Sequence, residues 1–237
     1  MTIFDHFLIF MLFFVQPIYG WLSFRRYLKK IAAGEPARRL SLYRETAVVE
    51  WVFLVILLTG WILLARPLTD LGFAVPAGSA FWICAALVFI GTVVMIRSAA
   101  SVRRLPQSRR VKHRDSFGDL GHFLPQDDRE LKSFYRLSVT AGIVEEIVYR
   151  GFVLWYLATL MPIWPAVFVS SIGFGLCHSY QGLGGMIRTG LVGLAFGVLF
   201  VFSGSLWLPI IGHILLDVLQ GKQIREIYRD VDEPPAG

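Results

Sequence analysis

Apolar residues gather in long blocks along this 237-residue chain. Seven stretches are predominantly apolar: about Phe7–Phe24, Ala47–Ala65, Ala80–Ile96, Phe134–Met161, Trp164–Cys177, Met186–Phe202 and Leu206–Leu219. A helix needs ~20 apolar residues to cross a bilayer, and a helix satisfies its own backbone hydrogen bonds in lipid. Each block therefore predicts a membrane helix, the shorter later ones packed in the bundle, tilted, or ending in cavities. The expected fold is all-α, a polytopic transmembrane bundle of about seven spans. Between the third and fourth blocks lies a polar stretch of mixed charge, 98–133, which predicts a loop with a short amphipathic piece. The chain then divides into residues 1–133 (helices 1–3 and a basic loop), 134–221 (a helical core) and a tail, 222–237. No internal repeat is evident. Trp61, Trp82, Trp155, Trp164 and Trp207 fall toward span ends, where interfacial anchors belong.

Composition agrees with this pattern. Hydrophobic residues make up 55% of the chain and charged residues 17%, against about 25% charged in soluble domains. That apolar surface exceeds what one soluble core of this size hides, so lipid must cover part of it. The net charge of +6 would suggest nucleic acid in a soluble protein. Here the basic residues flank the spans, so the charge reads as membrane topology and no nucleic-acid partner is expected. Arg25, Arg26, Lys29, Lys30, Arg38, Arg39 and Arg44 face a single acid, Glu35, in one loop. The 97–132 loop is rich in Arg, and the tail holds Lys222, Arg225 and Arg229, whereas 67–79 has no Lys or Arg. With seven spans, every basic segment falls on the cytoplasmic side, the N-terminus outside and the C-terminus inside. The expected location is the cytoplasmic (inner) membrane. The first block lacks a basic leader, carries Asp5 and has its positive charges after it, which suits an uncleaved helix. Cys84 and Cys177 fall near opposite faces, too far apart for a disulfide, and read as small packing residues.

The first three blocks hold little chemistry; the last four hold most of it. An ionisable side chain within a span is costly and is a functional candidate by default. Glu145 and Glu146 sit in an apolar run, and Glu146 and Arg150 share a helix face at i, i+4. Glu145 is then left about 100° around the helix without a local partner. Such a carboxylate needs a metal, a donor or a proton, and could serve as a general base. A buried ion-pair network would explain Glu146 and Arg150 but not the extra acid. Phe174 and His178 share one face at the end of the fifth block. Alone, His178 would read as a packed or interfacial histidine. His213 and Asp217 also stand at i, i+4, as a helix-joining pair or as ligands. If the helices bundle, Glu145, His178, His213 and Asp217 converge on one cavity within the membrane, a set able to hold one divalent metal or to deprotonate a water. There is no HExxH. Phe202-Ser203-Gly204-Ser205 is a weak nucleophile site, and Asp217 alone cannot form an aspartate dyad.

These three clusters, in this order, resemble the signature of the CPBP family of CAAX proteases and bacteriocin-processing enzymes, also called the Abi domain: EExxxR, FxxxH, then HxxxN or HxxxD. The resemblance covers about 134–221. It implies an intramembrane endopeptidase with a cavity open to the cytosolic side, acting on a membrane-associated protein or peptide, prenylated CAAX tails among the family's substrates. By that pattern Glu145 activates water with help from His178. His213 and Asp217 stabilise the oxyanion or bind metal, and Glu146, Arg150 and Phe174 support the site. The family has been described both as metal-dependent and as glutamate-dependent without metal. Asp217 stands where some members have Asn, and an ionised carboxylate is a poor oxyanion donor. This favours a metal such as Zn²⁺ on Glu145, His178, His213 and Asp217, with a metal-free glutamate mechanism as the alternative. Two other classes remain open at this point: a non-catalytic scaffold or immunity protein, and a proton-coupled carrier, against which the lack of a visible inverted repeat counts.

Overall fold

The computed structural model describes residues 1–75 and 77–229, and its regular elements are all helical among these residues. Helix α1 spans Ile3–Ala32, α2 Arg39–Leu63, α3 Gly78–Val102 and α4 Gln107–Ser116. Helix α5 covers 128–158 without a break, but its middle, Ile147–Val153, is wound as a π-helix between the α-helical segments Asp128–Glu146 and Leu154–Ala158. Helix α6 spans Ile163–Cys177, α7 Gly182–Ser203 and α8 Trp207–Tyr228.

Each of the seven apolar blocks falls largely within one of these helices, three of them running one to three residues past a helix end. Four stretches are long and apolar enough to cross a membrane: α1, α2, α3 and Ser179–Ser203, which contains α7. Helix α6 is apolar but has only 15 residues, and α5 and α8 carry the ionisable residues. Four spans, rather than seven, thus rest on length and composition. The helices also outrun their apolar blocks. Helix α1 continues through Arg25, Arg26, Lys29 and Lys30, because hydropathy marks where lipid is, not where hydrogen bonding stops. The expected loop at 98–133 shrinks for the same reason and contains α4 and a 3₁₀ turn, Gly118–His122.

The outer faces of α1, α2 and α3 expose Phe10, Phe14, Ile18, Val55, Phe89 and Ile90 to the surroundings. An apolar surface of this extent belongs in lipid, and the chain is an integral membrane protein. The core forms around the π segment of α5, where all seven residues are buried. Leu8 and Leu12 of α1, Leu54 and Leu57 of α2, Val167 and Phe174 of α6 and Ile210 of α8 pack in the same cluster. Asp127 caps α5, accepting from the Glu130 amide at 2.7 Å, and Asp128 and Glu130 suit the positive helix end.

Two polar clamps close opposite ends of α2. At its end, Arg66 makes a bidentate pair with fully buried Asp5 of α1, both contacts at 2.7 Å, and lies over the rings of Trp61 and Trp155. Trp61 was expected at the interface; it is instead buried to 1% exposure, with its indole donating to the Pro67 carbonyl at 3.1 Å. A hydrogen bond and a cation partner remove the polar reason for an indole to seek the interface. At the start of α2, Arg39 pairs with Glu130 of α5, and Tyr43 donates to the Phe123 carbonyl. Arg103, just after α3, pairs with Glu226 of α8, and Arg225 of α8 with Asp128 of α5.

Small residues let the helices approach. A Cβ on Gly175 of α6 would lie 2.7 Å from the Met186 carbonyl oxygen of α7, and one on Gly142 of α5 would lie 3.0 Å from the Ile214 amide nitrogen of α8. Such contacts are how membrane helices gain packing without a hydrophobic driving force. Helix propensity alone favours Ala over Gly by about 1 kcal/mol. At Gly175 the sign should reverse: Gly175→Ala is expected to destabilise the chain by about 1–3 kcal/mol through overpacking, seen as a lower melting temperature in detergent.

Candidate active site

The site is built where α5 changes its winding. Glu145 and Glu146 close the regular part of α5, and Arg150 stands in the π segment. Insertions of this kind are frequent at functional sites. Glu146 is fully buried. Its Oε1 accepts from the Arg150 guanidinium at 2.7 Å and from His213 Nδ1 at 2.7 Å. Arg150 gives a second hydrogen bond to the Gly193 carbonyl of α7 at 2.9 Å, with its guanidinium 4.6 Å over Phe174 and 5.6 Å over Phe196. One carboxylate thus joins α5 to α8, and its guanidinium partner joins α5 to α6 and α7.

Glu146 Oε1 accepts a hydrogen bond from the Arg150 guanidinium, so His213 donates to the same oxygen from Nδ1, and Nε2 is the ring nitrogen turned toward the open carboxylates. The His213 ring stacks on Phe196 at 5.5 Å and meets the Phe174 ring edge-on at 6.2 Å. Held in this way, Nε2 faces Glu145 Oε2 at 3.9 Å and Asp217 Oδ2 at 3.7 Å. Glu145 and Asp217 are the open carboxylates, with side chains 19% and 27% exposed against 0% for Glu146.

His178 reaches the site from another direction. It ends α6, with φ −98° and ψ 19°, before a 3₁₀ turn, Ser179–Gln181, that leads to α7. Its Nδ1 lies 2.8 Å from the Phe174 carbonyl, four residues back. The last carbonyls of a helix lack intrahelical donors, and a carbonyl only accepts, so Nδ1 again carries the hydrogen and Nε2 is free. The Phe174 ring touches both imidazoles, at 4.9 Å from His178 and 6.2 Å from His213. His178 bonds Phe174 rather than Glu145, and lies within electrostatic reach of Asp217. Behind it, Cys177 Sγ bonds the Leu12 carbonyl of α1 at 3.2 Å and the Tyr149 hydroxyl at 2.7 Å, which fixes the end of α6. Both cysteines are free.

Imidazole nitrogens and carboxylates are suitable donors for Zn²⁺ or another divalent ion. Among the described residues, however, no three His, Cys, Asp or Glu side chains gather into a metal-ligand cluster. The side chains of Glu145, His178, His213 and Asp217 as arranged do not form a closed ligand set, and no chemical step is derived through an ion.

One acid near this site was not singled out from the sequence. Glu50 of α2 lies within electrostatic reach of Glu145, His213 and Asp217. Its signal was present: Glu50 is the one ionisable residue between Ala47 and Leu64, and an intramembrane acid is a functional candidate by default. The expectation that the first three blocks hold little chemistry is corrected accordingly. Distance along the chain hid the partnership, since 95 residues separate Glu50 from Glu145.

Residues 129–219 match the family model described as type II CAAX prenyl endopeptidase Rce1-like. The match takes in all three motifs and bears out the resemblance to the CAAX-protease family. No curated protein matches the chain, and no solved structure does.

The two adjacent glutamates are expected to respond differently to substitution. Arg150→Leu takes the permanent cation from buried Glu146 and leaves it His213 alone as donor, and should cost about 3–5 kcal/mol. Glu145→Ala removes a partly open carboxylate, and its melting temperature should stay close to that of the unaltered chain. Thermal unfolding of the two variants in detergent checks the contrast.

Proposed function

We propose that the chain is an intramembrane endopeptidase that hydrolyses a peptide bond of a membrane-associated substrate. The observation that carries this reading is the open carboxylate of Glu145 beside an imidazole whose other nitrogen is tied down. In this reading Glu145 takes a proton from water as the water oxygen attacks the peptide carbonyl carbon, and later returns it to the leaving amine. His178 Nε2 assists from the α6 side, and His213 and Asp217 flank the developing oxyanion. The Glu146–Arg150 pair keeps His213 in one tautomer and orientation, as second-tier hydrogen bonds do in other sites.

The substrate class is a prenylated CAAX-type tail. The family match supports this, as does an apolar cleft of about 230 Å³ between α6 and α7. Phe168, Ile172, Leu176, Ile187 and Leu191 line it, beside the Phe174–His178 segment. An isoprenoid chain in such a cleft would hold the peptide near the site by lipid-like contacts alone. The N-terminus outside and C-terminus inside would place the site's mouth toward the cytoplasm.

The purified chain in detergent is expected to cleave prenylated CAAX peptides faster than unprenylated ones. Glu145→Ala should abolish cleavage and His178→Ala should lower it by about 10²–10⁴-fold, both followed by mass spectrometry. Equal cleavage in the unaltered and Glu145→Ala chains, both folded, would overturn the peptidase reading in favour of a scaffold or a carrier. Cleavage that survives a chelator assigns the chemistry to the glutamate alone. Cleavage lost on chelation and restored by Zn²⁺ shows that the reaction needs an ion.

A further inference from the structure

Glu50 has no structural employment. Its Oε2 is buried and meets no hydrogen-bond donor. A buried polar group without a partner costs about 1–3 kcal/mol, more when charged, so a fold has no reason to keep this one for stability. Glu146 also leaves its Oε2 without a partner, but its Oε1 holds Arg150 and His213, and Glu130 pairs with Arg39 and accepts from the Gln126 amide. The position of Glu50 is nevertheless secured. Its neighbour Trp51 donates from Nε1 to Thr140 Oγ1 of α5 at 3.2 Å, five residues before Glu145. That bond sets the register of α2 against α5 and brings Glu50 to the level of the site. Glu145 and Asp217 face His213 Nε2, and Glu50 lies within electrostatic reach of all three. Tyr180, two residues past His178, lies within electrostatic reach of Glu50, Glu145 and Asp217.

Carboxylates that feel one another's charge are eased by a hydrogen-bond donor between them. Inside a hydrolytic site the donor at hand is water, which has two hydrogens. We infer that Glu50 is a catalytic residue of this site: its unpaired Oε2 accepts one hydrogen of the attacking water while Glu145 accepts the other. This rests on the peptidase reading above. With both hydrogens engaged, the water's lone pairs point away from the two acids, toward the bound peptide. Glu145 then takes its proton as the C–O bond forms and the carbonyl pair moves to oxygen. The C–N bond breaks as that proton passes to the amine. Glu50 neither gains nor loses a proton; it fixes the direction of attack, and an error of about 1 Å in such a placement costs about 100-fold in rate.

The test uses the full chain in detergent with Glu50→Leu and Glu50→Gln, assayed on a prenylated CAAX peptide and melted without it. Glu50→Leu should lower kcat about 100-fold with KM unchanged, because the water is not part of ground-state peptide binding. Glu50→Gln keeps one acceptor oxygen and should retain more activity than Glu50→Leu. The melting temperature of Glu50→Leu should be unchanged or raised, since it removes a carboxylate whose buried oxygen has no donor and which stands near two other acids. A kcat within twofold of the unaltered chain would overturn the inference. So would a melting temperature lower by several degrees, which would make Glu50 a structural residue. Melting is read without substrate, so failure of this inference is distinct from failure of the peptidase reading, which shows as equal cleavage in the unaltered and Glu145→Ala chains.

Discussion

A carboxylate sealed from solvent must be neutralised where it stands, and Glu146 meets that demand by drawing three other helices to α5. Its oxygen takes hydrogens from Arg150 on its own helix and from His213 on α8. Arg150 passes the constraint on to the Gly193 carbonyl of α7 and to the Phe174 ring of α6. Pairs of this kind add little net stability compared with apolar packing, but leaving one partner alone is costly. The arrangement is therefore specified more than it is strengthened. Helices that share an apolar surface can slide or rotate against each other; helices tied to one buried charge cannot.

That constraint works because the backbones come close. Gly193 stands where a Cβ would meet the Phe174 ring at 2.9 Å, and Gly142 where one would crowd Ile214, next to His213. The polar site and the glycine contacts are thus two aspects of one packing solution. A bulkier residue at either glycine would separate the helices that the charges are holding together. The division of labour between the adjacent glutamates follows. One faces inward and is used up in joining helices; the other, about 100° around the helix, keeps an open oxygen beside the imidazole.

Much of this could be read from the chain before any coordinates. Apolar blocks located every long helix except α4, which was expected only as a short amphipathic piece. The spacing of Glu146 and Arg150 announced their pairing, since four residues on a helix make neighbours. What stayed hidden had no local signal. The Gly193 carbonyl is backbone and leaves no trace in residue type. The Asp5–Arg66 clamp joins positions 61 residues apart, and Arg66 sits one residue before a stretch read as free of basic residues. Trp61 looked like an interfacial anchor because a span end and an indole usually mean one, and only the tertiary contacts of Arg66 and Pro67 bring it inside. Glu50 was visible as a lone acid in an apolar block, yet nothing near it in sequence names its neighbours. The extent of the helices was misjudged for a different reason: charge ends the lipid layer but does not unwind a helix.

The shortness of α6 has a bearing on the lipid itself. Fifteen residues rise about 22 Å at 1.5 Å each, while the hydrocarbon layer is about 30 Å thick. The bilayer beside α6 must pucker inward to meet such a helix, or leave one of its ends at mid-depth. Both bring polar headgroups and hydration nearer to the His178 end on that flank than a full-length helix would allow. A dent of this sort would, under the proposed function, shorten the distance that a lipid-anchored tail travels from its resting depth and give water a way into an otherwise dry layer.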